Sequence, residues 1–356
     1  MFRRFCILTL LISLHLSLSG CDSSPSESES PSPGTPQNAT PNIRQATNPT
    51  LLTALNELNH KTKQNITRAK QEAEKLQSSI DSLLASPFAE NLENTRQQWL
   101  NTYLALIPLA VQGEIGFEQP ALLSELRRYN THMDAWPIQP GFIDYFDVYT
   151  QSGLVNDTTV IMKADALLEQ HGILDPTDVA VGMQAMAYLL FGENGQRPLE
   201  DFVIPARPDG MKVSDTHQAR RRAYVSILIQ LLKDDLRSLH SQYQAEHSLQ
   251  LRMNNLLPDT RKQLWHKSVL RRINHLLTEW QQALLAEEER SFRNPSKSGI
   301  TAAWCAELES IAKISHTLKL NNTDHYTRAA VACLDNKAGE PTELAKILLE
   351  RLAAEK

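Results

Sequence analysis

Glycine and cysteine are scarce, thirteen and four in 356 residues, and what they fail to form excludes several chemistries. There is no Gly-x-Ser-x-Gly elbow and no glycine-rich phosphate loop, so serine-hydrolase and P-loop nucleotide chemistry have no candidate segment. Cys6, Cys21, Cys305 and Cys333 make no CxxC pair and no Cys/His set with zinc spacing, so a structural zinc site is not indicated. Nowhere does apolar/polar alternation run long enough to specify strands. Beyond residue 20 no stretch approaches the roughly 20 apolar residues that span a bilayer. Basic charge is not in excess either: 36 Lys and Arg face 41 Asp and Glu, net −5, and nucleic acid is not an expected partner.

The N-terminus carries a distinct signal. Arg3 and Arg4 precede an apolar run from Phe5 to Leu18, and Leu18-Ser19-Gly20-Cys21 follows. Charge, apolar core and small residues before a cysteine mark an export signal, and the last four residues match the bacterial lipobox, in which the cysteine is acylated and becomes residue one. Residues 1–20 are therefore expected to be a lipoprotein signal peptide, and Cys21 the site of lipidation by palmitate-type chains. More than one acyl chain holds a protein stably on a membrane, so the membrane itself is the first expected partner. Asp22 resembles the inner-membrane retention signal of enterobacterial-type sorting; other bacteria sort by other rules, which leaves inner or outer membrane undecided. Loss of Arg3 and Arg4 with the signal moves the net charge from −5 to −7. Residues 21–49, with Pro25, Pro31, Pro33, Pro36 and Pro41 and almost no large apolar side chains, cannot bury enough surface to fold. They are expected to be a disordered linker holding the body off the lipid, facing the periplasm of the bacterial cell envelope.

From Leu51 the pattern changes. Leu51, Leu55, Leu58, Thr62, Ile66, Ala69, Ala73, Leu76, Ile80 and Leu83 keep a three-four alternation over roughly nine turns, the mark of a helix with one buried stripe. A second helix with Trp99, Tyr103 and Leu106 follows Pro87 and is bent or ended at Pro108. Glycines and prolines between Gly113 and Asp157 leave room only for short helices. Residues 158–171 form another candidate helix, and Asp175-Pro176-Thr177-Asp178 reads as the cap and first turn of the one carrying GMQAMAYLLFG, residues 182–192. The Gly/Pro-rich stretch 196–212 reads as a linker between two halves, 50–195 and 213–356. In the second half, stripes Val225 to Tyr243 and Leu270 to Leu284 predict a long antiparallel pair turning near Leu257-Pro258-Asp259. Helices around 300–319 and 323–334, and a last one from Pro341, complete an all-α fold of two helical bundles.

Cys305 and Cys333 stand about equally far from the turn at Asn321-Asn322-Thr323. In an oxidising compartment they can close a disulfide across that hairpin, stabilising by about 3 to 4 kcal/mol in the chain-entropy picture; two reduced buried thiols are the alternative.

Three segments together resemble the imelysin family, envelope proteins grouped with the M75 peptidases, over about residue 48 to the C-terminus. Trp99 with Met133-Asp134-Ala135-Trp136-Pro137 and Phe142-Ile143-Asp144-Tyr145 is similar to a tryptophan-proline segment ending in Ile-Asp. GMQAMAYLLFG resembles the helix that carries Gly-x-His-x-x-Glu and then Tyr-Leu-Leu. Arg221-Arg222-Ala223-Tyr224 with Leu232-Lys233-Asp234-Asp235-Leu236 resembles the opening of the second bundle. The resemblance implies two related bundles with the His-Glu motif inside the first, and a link to metal-dependent proteolysis or envelope iron uptake.

This chain departs from the motif where it matters: Gln184 stands at the histidine and Ala187 at the glutamate. A His and a Glu three apart share a helix face and can converge on one cation; a neutral amide is a poor ligand for zinc or iron and a methyl is none. No catalytic residue and no cofactor is therefore predicted, and whether iron or zinc binds by other groups stays open. Glu114, Asp134, Trp136, Asp144, Gln184 and Tyr188 are the candidates for a ligand pocket; the plainer alternative is that the tryptophan is core and the acids cap helices or face solvent. His132 with Asp134, His275 with Glu279, and Glu246-His247 are pairings of the kind chance supplies. The leading expectation is a lipid-anchored binding or accessory component without peptidase activity, in contact with other envelope proteins. A metallopeptidase using ligands outside the motif and a purely structural adaptor are the competing readings.

Overall fold

The computed structural model describes residues 49–146, 148–193, 195, 197–206, 210–244, 248–285, 297–321, 323–334, 347, 348 and 350. The signal peptide, Cys21, nearly all of the linker, Glu246-His247 and most of the helix expected from Pro341 lie outside them. The described residues contain helices and no strand, only a bridge between Phe146 and Tyr149, so the chain is all-α.

Helix α1, Pro49–Ala85, buries Leu55, Leu58, Thr62, Ile66, Ala69, Ala73, Leu76, Ile80 and Leu83, the stripe expected from the sequence apart from a half-buried Leu51. It has neither an acid in its first turn nor a base in its last, so the dipole adds nothing to its stability. Packing holds it: each buried Leu or Ile contributes about 1.5–3 kcal/mol. Helix α2, Ala89–Leu106, lies along α1. Pro108 turns the chain through a 3-10 segment, Ile107–Leu109, into α3, Ala110–Glu118. Gly113 and Gly116 thus sit inside a helix and not in turns. A Cβ on Gly116 would lie 2.6 Å from the Arg127 backbone nitrogen and 2.8 Å from the Leu123 carbonyl oxygen, so that glycine permits close backbone packing.

Short elements follow: α4, Pro120–Leu123, a 3-10 turn at Ser124–Arg127, a π turn at Tyr129–Met133, and α5, Pro140–Ile143. The next helix, α6, spans only Ala164–Gln170, against the 158–171 expected. The buried Arg220 explains the difference, since its guanidinium donates to the carbonyls of Leu154, Val155, Asp157 and Val160 and draws that backbone into a wrap. Asp175 does not start a helix either. Its Oδ1 accepts from the Thr177 amide at 2.8 Å and hydroxyl at 2.7 Å, an Asx turn, and α7 begins later, at Met183–Phe191.

Helices α8, His217–Gln242, α9, Ser248–Asn255, and α10, Pro258–Leu285, follow. The expected long pair is rearranged: α8 packs mainly along α1, α10 packs mainly along α3, and α9 separates them. The reason is α1, whose long stripe serves both α2 and α8. Helices α11, Lys297–Leu318, and α12, Thr323–Leu334, form a hairpin joined by a Cys305–Cys333 disulfide with Cα atoms 5.3 Å apart. Residues 46–356 form one compact unit, with buried residues of both expected halves in a continuous core.

Candidate functional site

Gly182, the residue before α7, has φ +97°, and a Cβ there would lie 2.4 Å from the His132 carbonyl oxygen. Only glycine lets the start of α7 approach the π turn that closely. The approach sets Gln184 over Asp134, the residue that ends the turn. Gln184 Nε2 donates to Asp134 Oδ1 at 2.6 Å, while the Tyr129 and Tyr103 hydroxyls point at Oδ2 from 3.4 and 3.5 Å. Burial, then the Asp134 charge, pushes the Tyr129 phenol well above its ordinary pKa, so it stays a neutral donor. From the other side Trp99 Nε1 donates to the Met183 carbonyl at 2.9 Å, and its ring stacks on Tyr103. Gln184 and Ala187 are both 0% exposed. Gln184 Oε1 is buried and has no hydrogen-bond partner among the described residues.

Arg272 links this group to the rest of the interior. Its Nε makes a short bond to Glu307 Oε1 and its Nη2 bonds Oε2 at 3.0 Å, both side chains fully buried. Burial alone would lower its basicity, but Glu307, and more weakly Tyr129 and Asp134, raise it above the ordinary arginine value. Arg272 Nη1 also donates to His275 Nδ1 at 2.8 Å, so that nitrogen carries no proton and its 4.0 Å approach to Glu114 is not an ion pair. Glu114 is held by Arg271 Nε and Asn130 Nδ2, each at 2.7 Å. Its pKa is raised by burial against the pull of Arg272 and Arg271. Trp136, half-buried, tilts over His275 with ring centroids 6.4 Å apart.

Asp144 and Tyr188 belong to a different cluster. Asp144, 0% exposed, receives Arg221 Nε at 2.7 Å and Nη2 at 3.1 Å, with Arg197 Nη1 at 3.0 Å. Arg197 also bonds Asp201 at 2.7 Å, as does the Tyr145 hydroxyl, and Tyr188 donates to the Tyr145 carbonyl at 2.8 Å. Burial would raise the Asp201 pKa, but Arg221 and Arg197 hold it below the usual value. Burial likewise works against Arg197, which Asp144 and Asp201 nonetheless keep above its ordinary value. Two arginines and two aspartates so arranged neutralise one another, and the cluster ties the 140s, the 197–202 segment and α8 together.

The six candidate pocket residues therefore fall into two interior groups, Gln184, Asp134, Glu114 and Trp136 around Arg272, and Asp144 with Tyr188 around Arg197 and Arg221. The paired histidines diverge as well. His132 turns to Asp235, Nδ1 to Oδ2 3.7 Å, while Asp134 turns inward. Burial, then Arg128 and His171, pushes the His132 pKa down to about 4, and burial pushes Asp235 up to about 6. The side chain of Glu279 lies outside the described residues. Arg197, Arg272, Glu307 and Tyr129 were missed by sequence reasoning. A usable signal existed for two of them: Arg272 and Glu307 fall on the apolar stripes of α10 and α11, where opposite charges have to find each other.

Positions 184 and 187, where the sequence resemblance would set a His and a Glu, offer no side chain suited to iron or zinc. Position 184 offers an amide already donating to Asp134, position 187 a methyl group, and the Tyr129 hydroxyl nearby is held protonated by burial. Among the described residues no three His, Cys, Asp or Glu side chains converge on a point.

Fold and site together define an all-α protein in which the helix Met183–Phe191 buries a hydrogen-bonded amide at position 184 and an apolar side chain at position 187. The family model described as Imelysin, Peptidase M75, matches residues 63–301, and the chain belongs to that family. No curated protein matches it.

Proposed function

We propose that the protein is an imelysin-type lipoprotein, carried at the bacterial cell envelope by acyl chains on Cys21 and acting without peptidase activity. Its role is that of a binding or accessory component, with envelope iron acquisition the process to which the family resemblance points. The observation that carries the non-enzymatic reading is the pair Gln184 and Ala187: both are fully buried, and Gln184 is engaged with Asp134 at 2.6 Å. A metal-activated water requires the metal to be held first, and neither position supplies a charged or imidazole ligand. The lipid anchor is supported by Leu18-Ser19-Gly20-Cys21 behind a charged, apolar leader. No helix among the described residues is long and apolar enough to cross a membrane.

The test is metal content and cleavage of unfolded peptides by the purified protein, with and without chelator. The expected result is substoichiometric iron and zinc and no chelator-sensitive turnover; a stoichiometric metal with such turnover replaces this reading by the metallopeptidase one. Installing the pair that the family resemblance implies, Gln184→His with Ala187→Glu, sets an imidazole within reach of Asp134 and a carboxylate three residues on, on the same helix face. We expect this double variant to melt below the wild type without metal, because a carboxylate is buried unpaired, and to gain melting temperature on addition of Zn(II). The wild type should show no such gain.

A further inference from the structure

A cleft of about 970 Å3 lies between α1, the Leu104–Pro108 end of the α2 segment, and α11, with the Cys305–Cys333 disulfide on its wall. It shares no residue with the Gln184 group or the Asp144 cluster. Its origin is local: α11 presents Ala302, Ala306 and Ser310 at four-residue spacing, one face of a helix, and such short side chains leave the space opposite Leu58 and Thr62 unfilled. The volume falls within the range of small-molecule pockets.

The lining sorts by depth. Leu58, Leu104, Pro108, Ala306 and Ile314 are apolar, and the two polar groups beside them, Thr62 and Gln112, are hydrogen-bonded to each other at 2.7 Å. That stretch of wall therefore suits an apolar body, while Gln64, Asn65, Ser310 and Thr317 supply polar groups elsewhere on the lining. The exposed side carries Lys61, Arg68 and Lys313 against one acid, Glu309. Lys61 is paired with Glu57 and Lys313 with Glu309, each at 2.6 Å. Arg68 makes no ion pair or hydrogen bond among the described residues; Glu72 only feels its charge at a distance. A guanidinium so placed matches a single carboxylate or phosphate head by a two-pronged hydrogen bond.

We propose that this cleft binds an anionic amphiphile, one apolar chain lying against Leu58, Ala306 and Ile314 with its charged head at Arg68. The experiment titrates the purified protein with sodium laurate below its micelle concentration, by calorimetry. Dodecyl phosphate tests the other head group, dodecyltrimethylammonium the charge, and butyrate the chain. Saturable binding of one laurate or one dodecyl phosphate per chain is expected, with the tighter of the two identifying the head. Dodecyltrimethylammonium and butyrate should bind at least tenfold more weakly. Arg68→Glu should weaken the anionic chain tenfold or more, and Ala306→Trp, which sets a large ring on the apolar wall where the chain would lie, should weaken binding at least tenfold while circular dichroism stays that of the wild type. Arg68 is solvent-exposed, so its variant keeps the test alive should Ala306→Trp misfold. Absence of saturable binding, equal affinity for the cationic chain, or anionic-chain binding that survives both substitutions would overturn the proposal.

Discussion

At Gln184 the chemistry of one amide decides what the interior can tolerate. Nε2 donates to the Asp134 carboxylate at 2.6 Å, and Oε1 has no partner among the described residues. A neutral donor satisfies a buried carboxylate without adding charge, which is why glutamine suits the position and glutamate does not. Gln184→Glu keeps the shape and, while protonated, the donor. Once ionised it would set two carboxylates side by side, so the variant's folded state holds on to a proton that the unfolded chain releases near pH 4.3. More protons bound in the folded state mean that stability falls as pH rises through that window. The variant is expected to match the wild type near pH 4 and to be less stable by about 3 kcal/mol at pH 8, with each unit of pKa displacement worth about 1.4 kcal/mol. Urea unfolding of both proteins at the two pH values measures this, and a pH-independent difference would mean that residue 184 does not face Asp134.

Among the elements, α7 depends on the glycine before it. Gly182→Ala meets two costs at once, a φ of +97° that alanine rarely adopts and a Cβ 2.4 Å from a backbone carbonyl oxygen that can move only with the π turn. Together these predict a loss of about 2–4 kcal/mol. Gly172 also has a positive φ, +68°, but nothing within 4 Å of its Cβ position, so Gly172→Ala should lose only about 1 kcal/mol. Comparing the two in denaturant separates steric contact from conformation alone. The same contrast explains how far elements could be read from sequence. The stripe of α1 was legible because nine buried positions repeat at helical spacing and each reports only its own burial. Residues 158–163 were not, because the Val160 carbonyl and those of Leu154, Val155 and Asp157 just before the segment answer to Arg220, at least 60 residues away. Asp175 misled for a local reason: an aspartate that caps a helix and one that closes an Asx turn accept from the same kind of amide.

Across the whole molecule, buried charge joins what the sequence separates. Sequence reasoning placed Glu114, Asp134 and Gln184 in one interior but did not find their connector: Arg272 and Glu307 stand out as charges on apolar stripes, yet nothing periodic says which partner a charge takes when the partners of Arg272 and Arg221 lie 35 and 77 positions away. Arg272 with Glu307 ties α10 to α11, and its charge acts on Tyr129 and Asp134 beneath α7 as well as on Glu114 of α3. Such a pair need not stabilise the fold relative to apolar residues, since removing two ions from water costs several kcal/mol and their mutual attraction only offsets it. Breaking it is a different matter. Arg272→Met leaves Glu307 buried and unpaired, and about 3–5 kcal/mol should be lost; adding Glu307→Leu removes the stranded charge and should recover most of that loss. A double-mutant cycle in urea gives the coupling directly. If the double variant is as unstable as the single one, the arginine is needed for its other contacts, with His275 and through the field at Asp134, and the interior is one polar network instead of a pair with neighbours.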